Sequence, residues 1–181
     1  MTNEPSFIGL RRGAVELHPS NPAWAEAFRA EAARLALHVT DAGLPPLSFE
    51  HIGSTAVPGL EAKPIIDLMA GHQPGTEPRA YFVTLQAAGY EPRGPQGVPD
   101  RELFVCGPEC HRTHHLNLVA LDGVFWREHL MFRDRLRNEP EVRAAYAALK
   151  RQLAAAHPDD RGAYTAGKAR FVSDIIHGGS Y

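Results

Sequence analysis

Between Glu50 and Asp67 the chain concentrates groups able to grip phosphate or hold a cation: Glu50 and His51, then Gly53-Ser54-Thr55, then Lys63, then Asp67. A glycine-serine turn after a strand lets backbone N–H groups approach a phosphate, and the serine hydroxyl adds a donor. Twelve residues lie between Ser54 and Asp67, enough for a loop and a short helix to return the carboxylate to the end of the preceding strand. Nucleotidyl transfer asks for this combination, because a phosphate grip and metal-holding carboxylates together neutralise the charge that develops on the phosphorus oxygens. Lys63 precedes Pro64, whose ring favours an extended entry into the next run, so its ammonium can point towards phosphate.

The positioning elements follow from the pattern around these residues. Leu47 to Ile52 alternates apolar and polar as a half-buried strand does, and Ile65-Ile66-Asp67-Leu68-Met69 reads as a central strand with one charged group. Upstream, Asn21 caps and Pro22 opens a helix in which Trp24, Phe28 and Leu35 recur at helical spacing to about His38. Tyr81, Phe82, Leu85 and Ala88 suggest a second helix ended by Gly89, and the Pro- and Gly-rich stretch from Tyr90 to Gly97 reads as loop. Leu103-Phe104-Val105 and His114 to Val119 form an expected antiparallel hairpin. From Phe125 onward strands give way to three helices, about 125–137, 141–156 and 162–176, punctuated by Pro140 and Pro158. Their basic residues read as a solvated face with partners such as Glu139 and Arg143 at i,i+4.

Composition narrows the function classes. With 44% hydrophobic and 22% charged residues in 181, the chain can bury a core as one domain with a helical C-terminal part over about 125–177. The net charge of −2 gives no electrostatic case for nucleic acid. No run approaches the ~18 apolar residues of a membrane span, and Met1 to Arg12 lacks a signal-like apolar stretch, so a cytoplasmic protein is expected. Gly53-Ser54-Thr55 lacks the frame of a P-loop, and neither a dinucleotide fingerprint nor a Ser-His-Asp order is present. Cys106 and Cys110 are spaced more loosely than a zinc knuckle, and Cys110, His111 and His114 read as a polar turn.

The string Glu50-His51-Ile52-Gly53-Ser54-Thr55-Ala56-Val57-Pro58-Gly59-Leu60, with Ala62-Lys63-Pro64-Ile65-Ile66-Asp67, resembles the signature of the GrpB family. His114 to Val119, the run Phe132 to Arg137 with Pro140, and Tyr146, Leu149-Lys150, Tyr164 and Lys168 extend the resemblance over nearly the whole chain. It implies an α+β, nucleotidyltransferase-like fold: a mixed β-sheet flanked by helices, with a C-terminal helical segment closing over the Gly53-Ser54 loop. It also implies a second acidic position two residues after Asp67, where this chain has Met69, and a later position offering His115 and Asn117.

Three functions stay open on these grounds. In the first, Asp67, Glu50 and His115 hold Mg²⁺ or Mn²⁺, with Asp67, His51 and His115 as catalytic groups. Gly53, Ser54, Thr55, Lys63, Lys150 and Lys168 then bind a nucleotide or phosphometabolite for nucleotidyl or phosphoryl transfer. In the second the pocket binds such a ligand without chemistry. In the third, histidines and Asp67 hold zinc.

Overall fold

The computed structural model describes residues 7–179. Residues 1–6, half of the N-terminal stretch read for a signal, lie outside the described residues. The first helix, α1 (Ala23–Asp41), starts as its sequence dictates: the Asn21 side chain accepts the Ala23 N–H at 3.0 Å, and Pro22 brings no donor to leave unpaired. Five strands follow, β1 (Ser48–Ile52), β2 (Ile66–His72), β3 (Tyr90–Gly94), β4 (Arg101–Cys106) and β5 (His114–Ala120), in the spatial order β1-β2-β5-β4-β3. Only β2 and β5 run parallel; the other pairings are antiparallel. The expected α+β class with a mixed sheet is therefore the one observed, and β4–β5 is the expected hairpin.

Strand parity divides the sheet. Leu68, Ala70, Phe104, Leu116 and Leu118 face α1 and the short helix α2 (Phe82–Ala87), and with Trp24, Leu35, Tyr81 and Leu85 they make the main core. Asp67, Met69, His115 and Asn117 face the other way, because register pairs Asp67 with His115 and Met69 with Asn117. Helix α3 (Val124–Asn138) covers part of this second face, packing Trp126 against Ile52, Met69 and Val119. Asp67 and His115, nearer the strand starts, stay open to the cleft.

Helices α4 (Pro140–Ala156) and α5 (Arg161–His177) join α3 around a second core of Leu136, Val142, Tyr146 and Ile175. Val57 and Leu60, both 1% exposed, plug into that core from the loop after β1. At about 2 kcal/mol per buried aliphatic side chain, these two pegs hold the loop more firmly than its glycines alone would allow. Gly167 lets α5 press on α4, since a Cβ there would stand 2.4 Å from Leu153.

Three expectations are corrected. The loop read from Tyr90 contains edge strand β3, which tolerates Pro92 because a bulge there needs no N–H from it. Glu139 pairs with Arg135 rather than Arg143, through two hydrogen bonds of 2.7 Å; Arg143 instead donates to the Leu136 and Arg137 carbonyls at the end of α3. Arg133 and Arg137 are not part of a solvated face: they donate to the end of β1 and to the turn that follows it. No described helix is long and apolar enough to cross a membrane.

Candidate functional site: a basic cleft beside an aspartate–histidine pair

At the end of β1 the chain turns through Gly53, with φ 71°, into a single 3-10 turn, Ser54–Ala56. A left-handed φ favours glycine, and space requires it as well: a Cβ at position 53 would lie 2.5 Å from Asp67 Oδ2. The other carboxylate oxygen, Oδ1, accepts from His115 Nδ1 at 3.0 Å. Asp67 is thus held between the loop backbone and the imidazole. Burial raises its pKa, but the His115 hydrogen bond and the charges of His115, Lys63 and Arg161 outweigh this and hold it below its ordinary value.

Helix α3 fixes the loop from outside. Arg137 donates through Nε and Nη2 to the Ala56 carbonyl, at 2.9 and 2.7 Å. One turn earlier Arg133 donates to the His51 carbonyl at 3.1 Å and to Glu50 at 2.6 Å. The backbone amides of the turn are therefore presented in one conformation.

Behind the loop is a cavity of about 230 Å³, lined among others by Ser54, Lys63, Asp67, His115, Tyr146, Arg161, Tyr164, Thr165 and Lys168. Its positive charge is concentrated. Lys63 and Lys168 lie over the Tyr164 ring at 5.4 and 4.3 Å, and Arg161 lines the same cavity. Burial pushes both lysines down to about 8, and for each the Arg161 charge adds to the fall. Among the described residues Lys63, Arg161 and Lys168 have no carboxylate within ion-pair distance, and Asp67 is committed to His115.

Arg161, Tyr164, Thr165 and Lys168 belong to α5 at spacings of zero, three, four and seven, so one helical face supplies one side of the wall. Sequence reading found Lys168 and, within the family pattern, Tyr164. It missed Arg161, although the i, i+3, i+4, i+7 series ending on Lys168 is the signal that leads to it.

Other expected site residues lie elsewhere. His51 is on the core face of β1, 6% exposed, stacked on Phe28 with ring centroids 4.8 Å apart. Its Nε2 meets Thr55 Oγ1 at 3.0 Å, and that hydroxyl in turn donates to the Ile65 carbonyl. Burial pushes its pKa down to about 4. His51 is thus corrected from a ligand-facing group to a buried brace under the loop, whereas Thr55, which ties to it, also lines the cavity. Lys150, 1% exposed, donates to the Glu61 carbonyl and lies 5.2 Å over the Tyr146 ring, behind the cavity wall instead of in it. Glu50 is taken by Arg133.

The metal expectations meet a short supply of donors. Among the described residues no three His, Cys, Asp or Glu side chains gather closely enough to hold an ion. Met69, at the second acidic position, is sealed under Trp126 with 0% exposure, so it leaves no opening for a further oxygen ligand. One carboxylate and one imidazole do not fit a two-metal centre, which requires several hard oxygen donors. They do not fit a tetrahedral zinc site either. His111 and His114 are apart from Asp67, with His114 Nδ1 on Thr113 Oγ1 at 2.9 Å.

The fold recurs in a family of bacterial proteins. The pattern of the family described as GrpB protein matches residues 14–177, and the chain belongs to that family. A UPF0157 protein of Pseudomonas aeruginosa is 42% identical over 95% of this chain and 72% of its own length. The glutamate-rich protein GrpB of Alkalihalophilus pseudofirmus is 32% identical over 94% of this chain and 99% of its own. The crystal structure of conserved protein GrpB from Enterococcus faecalis has a TM-score of 0.77 at 34% identity, covering 90% of this chain and 96% of that one.

Proposed function

We propose that the cleft binds the phosphates of a nucleotide or phosphorylated metabolite. One observation carries this reading: Lys63, Arg161 and Lys168 converge on one small cavity without carboxylate partners, in a chain whose net charge is negative. Two ammonium groups driven down to about 8 by burial and like charge represent a standing electrostatic cost that a bound anion would offset. The Gly53–Ala56 turn adds backbone donors and the Ser54 hydroxyl, which lines the cavity with Tyr146.

In this reading Lys63 and Lys168 hold phosphate oxygens, and Arg161 adds a planar fork suited to phosphate. Asp67 orients His115 through Nδ1, leaving Nε2 as the ring atom free to meet the ligand. A nucleotidyl or phosphoryl transfer would take place next to that pair. Since the donors present do not make a metal centre, no step is assigned to Mg²⁺, Mn²⁺ or zinc.

Isothermal titration with inorganic pyrophosphate and with ATP tests the reading. The expected result is saturable binding that weakens with salt and falls about tenfold in Lys168→Gln, the size of one charge-assisted contact. No heat with either ligand, or affinity unchanged in both Lys168→Gln and Arg161→Gln, rejects it.

A further inference from the structure

Asp67, His115 and Asn117 also line a second hollow of about 250 Å³ with Arg101, Phe125, His129 and, shared with the first cavity, Arg161. Arg101 opens β4 opposite Val119 and lies on the Asp67 face of the sheet. Its guanidinium rests 6.0 Å over the Phe125 ring, which is itself stacked on His129 at 3.6 Å. One nitrogen, Nη2, donates to the Pro95 carbonyl at 2.8 Å. Nε is buried and has no hydrogen-bond partner among the described residues. A buried N–H without an acceptor is destabilising, and most such groups in folded proteins are satisfied.

The neighbouring arginines sharpen the contrast. The groove of about 600 Å³ that continues from this hollow is lined by Arg12, Arg93, Arg101, Arg112 and Arg161. Arg12 is paired with Glu109, and Arg93 and Arg112 share Glu91. Arg101 and Arg161 alone in this wall lack an ion pair among the described residues. Arg161 lines both the smaller cavity and this hollow, which share Gly53, Asp67 and His115; the two lysines lie in the first alone and Arg101 in the second.

We propose that Arg101 anchors a second ligand, a small organic anion bearing a phosphate monoester or a carboxylate, so that the cleft holds two molecules that meet beside Asp67 and His115. The shared chemistry is an oxyanion with two acceptor atoms for the guanidinium, placed against the flat Phe125–His129 stack. The claim that it is a second ligand rests on the phosphate reading above; the anion site at Arg101 is tested independently of it.

The test titrates the ¹⁵N-labelled chain with glycerol 3-phosphate and, separately, with glycerate, two probes that differ in their anionic group. The Arg101 Nε–H resonance is followed, assigned by its loss in Arg101→Lys. Each titration is made on the protein alone and on protein saturated with inorganic pyrophosphate. The expected result is a saturable shift of that resonance by one probe, retained with pyrophosphate bound, and probe affinity about tenfold lower in Arg101→Gln with pyrophosphate affinity within about twofold. Whichever probe shifts it separates phosphate from carboxylate. No shift with either probe overturns the proposal, and so does displacement by pyrophosphate, which would put both anions in one site. If pyrophosphate does not bind but a probe still shifts Arg101, the phosphate reading fails and the Arg101 site stands. Should Arg101→Gln not fold, Arg101→Lys, which keeps the charge and loses the fork, is expected to lose the probe at an unchanged Tm; retained affinity there overturns the proposal too.

Discussion

A side-chain carbon on Gly53 would sit 2.5 Å from Asp67 Oδ2, so loop and carboxylate are mutually fitted. Gly53→Ala therefore meets two penalties, a left-handed φ of 71° and a collision. The backbone alone costs about 1–2 kcal/mol. We expect a loss of roughly 2 kcal/mol in chemical denaturation and at least a severalfold loss of pyrophosphate affinity, because Asp67 must leave His115 to make room. Asp67→Asn, which keeps shape without charge, is expected to fold with a near-normal midpoint. A Gly53→Ala variant as stable as the parent with full affinity would show that the close fit has no function.

The lysines give a pH signature. In the free protein Lys63 and Lys168 titrate near 8, below the ordinary 10.5, so between those values the unfolded chain binds more protons and stability contributed by these groups rises with pH. A bound phosphate favours their charged forms and reverses the shift. Pyrophosphate binding near pH 8.5 is therefore expected to take up protons, and near pH 6.5 to take up almost none from lysine. Titration calorimetry in buffers of different ionisation enthalpy measures this directly. Equal proton uptake at both pH values would mean that these ammonium groups are not the anion's partners.

Much of this frame is legible in the chain. The alternation from Leu47 to Ile52, the lone Asp67 in an apolar run and the three C-terminal helices all follow periodicity, and strand parity puts His115 beside Asp67 once the register is known. Register was the missing information. The parallel pairing of β2 with β5 joins residues 48 apart, which no local pattern encodes. His51 misled because a histidine beside a glycine-serine turn looks chemical, whereas alternation already placed it one step out of phase with Asp67's face, under Phe28. Arg161 was lost because it begins its helix, where a polar residue is unremarkable.

His51 makes its own contribution visible in acid. Its pKa is pushed down to about 4 by burial, against 6.5 unfolded, so the neutral ring supports the fold above pH 6.5. That support is lost as pH falls from 6.5 towards 4, with a ceiling of about 3 kcal/mol. His51→Gln is expected to be less stable than the parent at pH 7 but to lose less between pH 7 and 4.5. Parallel denaturation curves at the two pH values would assign the acid sensitivity to another group.

The last expectation concerns a residue that touches no ligand. Arg137 spans from α3 to the Ala56 carbonyl with two nitrogens, which ties down the turn whose Gly53, Ser54 and Thr55 line the cavity. Arg137→Ala removes both bonds and leaves that carbonyl to water, which costs little stability because the site is partly exposed. The turn then samples other conformations, and a ligand must pay the ordering entropy on binding. Pyrophosphate affinity is expected to fall about threefold to tenfold, with a less favourable binding entropy and no change in proton uptake near pH 8.5. Arg137→Lys should recover little, since one ammonium cannot reproduce a two-point grip on a single oxygen. If proton uptake fell along with affinity, Arg137 would instead be acting through the field at Lys63 and Lys168, and the turn would not be what it controls.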